Sequence, residues 1–276
     1  MKTIMVQGTA SGVGKTILTL ALCRIFKDDG YKVAPFKAQN MTQNTCYTEN
    51  GNEIAVSQWL QAIAAGVTPT AAMNPVLLKP SPDGKGTQVI VMGKPLDTIN
   101  AHNYKDIKKK LAAVVASAFG SLSGQYDIVV IEGAGSPVEL NLNKDDIVNM
   151  GMAKLVQSPV LLVSDIDRGG VFASLYGTLN LLSVKERQYV KATIVNRFRG
   201  DTALFADGVS ILEDITKLPV AGIIPYTKID LPEEDSLASV PVEMQENYES
   251  SISQIADIVR KSVNMELLYE ILHSGI

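Results

Sequence analysis

Apolar residues along this chain fall into short unbroken runs, separated by longer stretches in which they recur with helical spacing. Residues 4–6, 32–36, 127–131, 160–164, 192–196 and 220–224 read as strands. Runs that are apolar on both faces and separated by helices predict a mostly parallel sheet with helices on both faces, an α/β fold. Helical spacing continues from Ile17 through Cys23, Ile25 and Phe26 and stops at Asp28-Asp29-Gly30. Further helices are expected over about 54–65, 103–122 and 251–272. Residues 37–52 read as a polar loop, and 76–78 and 88–92 as short β-type runs around the turn Ser81-Pro82-Asp83-Gly84. Val240-Pro241 marks the passage from a main domain, 1–240, to a helical segment, 241–276, expected to pack on that domain. Ligands of such sheets gather beyond the carboxyl ends of the strands. The loops 8–16, 37–44, 132–142, 165–170 and 196–201 all follow predicted strands, so function is expected there.

The first of these loops reads Gly-Thr-Ala-Ser-Gly-Val-Gly-Lys-Thr. Between a strand and a helix, such a turn aims the backbone N–H groups of Ser11, Gly12, Val13, Gly14, Lys15, Thr16 and Ile17 at one point, where a polyphosphate can sit. Lys15 would reach the β- and γ-phosphates of ATP, and the Thr16 hydroxyl would hold Mg²⁺. The strict P-loop pattern has glycine at position 9; here Thr9 stands there and Gly8 lies one residue early. A second segment, Ile131-Glu132-Gly133-Ala134-Gly135, places a carboxylate at the tip of a strand. Glu132 either ligates Mg²⁺, directly or through water, or caps a turn; Gly133 and Gly135 let backbone approach a phosphate. Asn196 is a candidate reader of the adenine base, because its amide can pair with both edges. Asp165 and Asp167 either bind a water near the metal or shape a turn.

Composition narrows the class. The 276 residues carry a formal charge of −4 and a pI near 5.3, which gives no electrostatic footprint for nucleic acid. The lysines 105, 108, 109 and 110 read as a solvated helix face. No apolar run approaches the roughly 18 residues of a membrane span. A strand at the very start leaves no room for a secretory signal, and two cysteines, Cys23 and Cys46, make no disulfide framework. A cytoplasmic protein is expected, with Cys23 a small buried apolar residue.

Rival nucleotide machines can be weighed at single positions. The signature lysine of partitioning ATPases would stand at Ala10 and is absent. Thr227-Lys228-Ile229-Asp230 matches a guanine-reading string, but Glu132-Gly133 stands where a GTPase has Asp-x-x-Gly. A small-alcohol kinase has no distinct loop here.

Longer motifs then carry a resemblance. Pro35-Phe36-Lys37-Ala38-Gln39-Asn40-Met41, Met73-Asn74-Pro75-Val76-Leu77-Leu78-Lys79-Pro80, the segment 132–139 and Asp165-Ile166-Asp167-Arg168-Gly169-Gly170-Val171-Phe172 resemble cobyric acid synthases. So do Asn196-Arg197-Phe198-Arg199-Gly200-Asp201 and the segment 231–237. The resemblance runs in order through about residues 1–240. It implies a P-loop NTPase of the dethiobiotin synthetase-like superfamily, which uses ATP and Mg²⁺ to turn corrinoid carboxylates into amides. Carried over, it implies Thr16, Glu53 and Glu132 around Mg²⁺, Lys15 on the phosphates and Lys37 between the γ-phosphate and the carboxylate being activated. Asp146 matches a functional acidic position; it orients ammonia or takes its proton, or it is a helix N-terminal acid. Two departures stand out. Val56 replaces the arginine of the family pattern, removing a bidentate partner for an anion. The glutaminase domain of full-length members is also missing: His102 and His273 are the only histidines, and no cysteine sits in a nucleophile elbow. Ammonia is therefore expected free or from a separate glutaminase subunit, unless a longer chain carries that domain. The resemblance further implies a homodimer. The alternative is a dethiobiotin synthetase-like ligase that activates a carboxylate or carbamate, a family with Lys-Pro-Val where this chain has Lys37-Ala38-Gln39.

Overall fold

A computed structural model describes residues 1–81, 86–99, 104–141, 146–228, 231 and 245–276. Outside them lie Pro82 to Gly84 of the expected turn, Asn103, Ile229-Asp230 of the guanine-type string, most of the 231–237 motif and the Val240-Pro241 junction. The side chains of Lys105, Lys108 and Lys109 are outside them too. Along the chain, β1 (Lys2–Gly8), α1 (Lys15–Asp28) and β2 (Val33–Phe36) come first. Next are β3 (Gln39–Met41), β4 (Thr45–Tyr47), β5 (Glu53–Ala55) and α2 (Val56–Ala64). Then follow β6 (Val76–Pro80), β7 (Thr87–Val91), β8 (Lys94–Ile99), α3 (Tyr104–Leu122), β9 (Ile128–Glu132), α4 (Met150–Val156) and β10 (Val160–Asp165). The remainder is α5 (Val171–Leu181), α6 (Val184–Arg187), β11 (Val190–Phe198), α7 (Ala206–Thr216), β12 (Val220–Pro225), α8 (Gln245–Ser262) and α9 (Met265–Ser274).

Six strands form an all-parallel sheet in the order β12-β11-β10-β1-β9-β2. Successive strand residues face opposite sides, and Val129, Val130 and Ile131 of β9 are all fully buried, so helices cover both faces. This is the α/β arrangement expected from the apolar runs. Register fixes the site: Val6 pairs with Glu132, and Asp165 with Asn196, which brings the loops after β1, β9, β10 and β11 to one edge. Thr9, the departure from the strict P-loop pattern, continues the pairing of β1. Its N–H donates to the Val163 carbonyl at 2.9 Å and its hydroxyl to Ser164 Oγ at 3.0 Å.

Two expectations are corrected. The polar stretch 37–52 holds β3 and β4. The strand β3 pairs in parallel with β6, which continues antiparallel into β7 and β8 as a second four-stranded sheet, while β4 pairs with β5. Lys37, Asn40, Thr42, Asn44 and Thr48 are buried there, so polarity at these positions did not mean solvent. The closing helix is two helices. Val263 bridges to Gly222, the Asn264 N–H donates to the Ala221 carbonyl at 2.7 Å, and the Asn264 side chain accepts from Leu267 N as the cap of α9. Both flank α1: Arg24 pairs with Glu249 of α8, and the Tyr269 ring of α9 lies 5.6 Å from that of Phe26.

Candidate functional site

The loop 8–16 enters α1 through Gly14, an N-cap in the left-handed region (φ 100°) with no side-chain capping bond. The first helical hydrogen bond runs from Leu18 N to Gly14 O, so the amides of Lys15, Thr16 and Ile17 are the first-turn donors at the positive end of the helix dipole. Lys15 is buried and folds back over the loop, donating to the carbonyls of Ala10 at 3.0 Å and Gly135 at 3.1 Å. It thereby ties the first glycine-rich loop to the one that follows Glu132.

Glu132 is the centre of the site. Its Oε1 accepts from Thr16 Oγ1 at 2.8 Å and from Lys37 Nζ at 2.8 Å; its Oε2 accepts from Gln61 Nε2 at 2.6 Å and from Gln58 Nε2 at 3.4 Å. Both members of the Lys37–Glu132 ion pair are buried. A buried charge is tolerated only when paired and hydrogen-bonded, and here every lone-pair direction of the carboxylate faces a donor. Asn74 donates to the backbone carbonyl of Lys37 at 3.1 Å, and Lys37 N donates to Met73 O, so the lysine's backbone is fixed as well. Burial first, and the Glu132 charge second, push the Cys23 thiol far above its ordinary range, in accord with a packing role for that cysteine.

Asn149 holds the loop after Glu132. Its Oδ1 accepts from Ala134 N at 3.1 Å and its Nδ2 donates to the carbonyls of Ala134 at 2.6 Å and Ser136 at 3.2 Å. Asp146 supports it from below, accepting from the backbone N–H groups of Val148, Asn149 and Gly151 at 2.8, 3.0 and 2.8 Å. Of the two roles open to Asp146 in the sequence, this geometry is that of the helix N-terminal acid. Asn196 is likewise engaged with backbone: its Nδ2 donates to the Val13 carbonyl at 2.8 Å and its Oδ1 accepts from Arg197 N at 2.8 Å. Asp165 shapes its turn by accepting from Asp167 N, and it pairs with Arg197 at 2.9 Å and more loosely with Arg168 at 3.5 Å. The Arg168 guanidinium lies beside Gly12 of the P-loop. Asp167 is forked by Arg199, whose hydrogen bonds hold that carboxyl below its usual range.

Thr16, Lys15, Lys37 and Glu132 are thus brought together as the sequence suggested. Glu53 joins a neighbouring network, accepting from Lys79 Nζ at 2.5 Å and Thr45 Oγ1 at 2.6 Å, three residues before the start of α2. Beside it, burial and the Glu53 charge push the Cys46 thiol up to about 12. Gln58, Gln61 and Asn149 were not read as site residues. The signal for the two glutamines was present: polar side chains three apart in an otherwise apolar helix share one face.

A family model described as the CobQ/CobB/MinD/ParA nucleotide binding domain matches residues 4–238. The chain belongs to this family. The model spans both glycine-rich loops and every residue of the Glu132 network. Within the curated proteins, the family member of Streptococcus sanguinis called cobyric acid synthase is 51% identical over 240 residues, covering 87% of this chain and 48% of the relative. A cobyric acid synthase of Listeria welshimeri is 51% identical over 255 residues, covering 92% and 49%. The chain spans about half the length of the curated relatives it matches. Among solved structures, the MinD cell division protein of Aquifex aeolicus aligns over 95% of this chain and 96% of its own, at 18% identity and a TM-score of 0.46. The sheet order and the family match together make this a P-loop NTPase of the α/β class. No helix among the described residues is long and apolar enough to cross a membrane.

Proposed function

We propose that the chain activates a carboxylate with ATP and converts it to an amide, acting on a cobyrinic-acid-type corrinoid as the synthetase part of a cobyric acid synthase. The observation that carries this reading is the buried Lys37–Glu132–Thr16 cluster beside Lys15. A P-loop alone implies a polyphosphate; a second buried lysine, Lys37 on the Glu132 carboxylate, puts a cation where a second anion can meet the γ-phosphate. The names of the half-overlapping relatives supply the substrate class.

The donor set fits the expected groups. Thr16 Oγ1 and Glu132 Oε1 are hard oxygen ligands 2.8 Å apart at the P-loop, which suits Mg²⁺. Bound there, the ion would neutralise phosphate charge. Glu53, held by Lys79, is the third residue assigned to this role. In the first step a carboxylate oxygen of the substrate forms a bond to the γ-phosphorus while the bond from that phosphorus to the ADP oxygen breaks. Lys15 and Lys37 balance the charge spreading over the transferring group. The resulting acyl phosphate has a good leaving group. Ammonia adds to its carbonyl carbon, the carbon–oxygen bond to phosphate breaks, and the proton released from nitrogen passes to phosphate or solvent. Ammonia is free or comes from a glutaminase, either a separate subunit or a domain of a longer chain. Asp146 contributes through Asn149, by holding the 134–136 backbone against the phosphates. Asn196 holds the P-loop through the Val13 carbonyl.

An isotope transfer tests the first step. Substrate labelled with ¹⁸O in its carboxylates should deliver one labelled oxygen to phosphate for each amide formed, and Lys37→Gln should slow this by about 10²–10³-fold. Phosphate released without label would reject the acyl phosphate route.

A further inference from the structure

The Glu132 carboxylate is shared unequally between its two oxygens. Thr16 and Lys37 take Oε1; Gln61 and Gln58, both from the same face of α2, take Oε2. We propose that Gln61, with Gln58 in a lesser part, is a positioning residue that fixes the rotation of the Glu132 carboxylate and so presents Oε1 beside Thr16 Oγ1 for a divalent cation. The proposal rests on the reading of Glu132 given above.

Gln61 is fully buried, as are Ala62 beside it and Leu60 almost so, and nothing in that packing calls for an amide. Its Nε2 donates to Glu132 Oε2 at 2.6 Å and to the Thr16 carbonyl at 3.3 Å. Its Oε1 is buried with no hydrogen-bond partner among the described residues. An unpaired buried acceptor is unfavourable, and an apolar residue of the same shape would avoid it. Turning the amide over would be worse, since Oε1 would then face a carboxylate and a carbonyl. The amide is therefore oriented by the acid and by the backbone of Thr16, the two groups that frame the cation position. Gln58 is locked in the same sense. Asn40 Nδ2 at 2.8 Å and Ser57 Oγ at 3.0 Å both donate to its Oε1, which turns its Nε2 toward Glu132. The contact it then makes is long, 3.4 Å. Without these donors the carboxylate is free to turn on Lys37, and the oxygen offered beside Thr16 is no longer fixed. Outer partners of metal-binding carboxylates act in this way.

The test is Mn²⁺ binding, followed by electron paramagnetic resonance in the presence of a non-hydrolysable ATP analogue. Gln61→Met should weaken Mn²⁺ by at least about tenfold, and Gln58→Met by less, following the two hydrogen-bond lengths. Affinity for the analogue in EDTA should stay at its wild-type value, which shows that the variant is folded. Unchanged Mn²⁺ affinity in Gln61→Met, or equal losses with and without metal, would overturn the proposal. Wild-type protein that binds no Mn²⁺ would overturn this proposal and the functional reading together; normal wild-type binding with an unchanged Gln61→Met overturns this one alone.

Discussion

Gly14 stands where the P-loop turns into α1, at φ 100°, and a side-chain carbon added there would fall on Asn196 Nδ2. Any other residue is strained in this conformation and also pushes Asn196 off the Val13 carbonyl. Gly14→Ala should therefore weaken ATP by at least tenfold, about 1.4 kcal/mol, in a calorimetric titration. Wild-type affinity in that variant would mean that the loop does not bind phosphate in this shape. At Gly133 the backbone is not left-handed, but an added side-chain carbon would fall on Asn149 Oδ1. These glycines, with Lys15, Thr16 and Glu132, were legible in the sequence because a phosphate loop has a local signature. Gln58 and Gln61 show only a shared polar face, and neither they nor Asn149 could be tied to the site, because their partners lie 74, 71 and 13–15 residues away in the chain. Asp146 and Asn196 show a related limit. Residue type gave each several roles, and only the hydrogen bonds show that both are engaged with backbone.

The main strands were legible as elements because burial on both faces leaves unbroken apolar runs. The short strands β3 to β5 were hidden by polar residues that the site buries and bonds internally. The break between α8 and α9 was hidden because both helices keep an apolar face through it. The contact of α8 and α9 with α1 has its own signature in Asp29. Burial alone raises that carboxyl, but hydrogen bonds from Arg260 and Tyr269, and then the Arg260 charge, outweigh it and hold it below its ordinary value. A carboxyl depressed in the folded state stabilises the fold above its unfolded pKa of about 3.9, and that contribution is lost as pH falls through the folded value. The melting temperature of Asp29→Asn should thus lie below wild type at neutral pH, and the gap should close below about pH 4. A gap that persists unchanged in acid would show that the ion pair is not its source.

At the scale of the molecule, parallel topology explains why the candidate residues gather at one edge. Strands β1, β9, β10 and β11 lie side by side in parallel, so the loops that follow them meet there. The second sheet adds Lys79, which holds Glu53 of β5, and β5 runs directly into α2, the helix whose glutamines hold Glu132. The most direct test of the whole account is mass spectrometry of a cobyrinic acid diamide incubated with the 276-residue chain, Mg-ATP and ammonium. Product mass should fall by the difference between a hydroxyl and an amino group for each carboxylate converted. One ADP should form per amide, and glutamine should not replace ammonium when this chain acts alone. ATP hydrolysis with no change in the mass of the corrinoid would contradict the account.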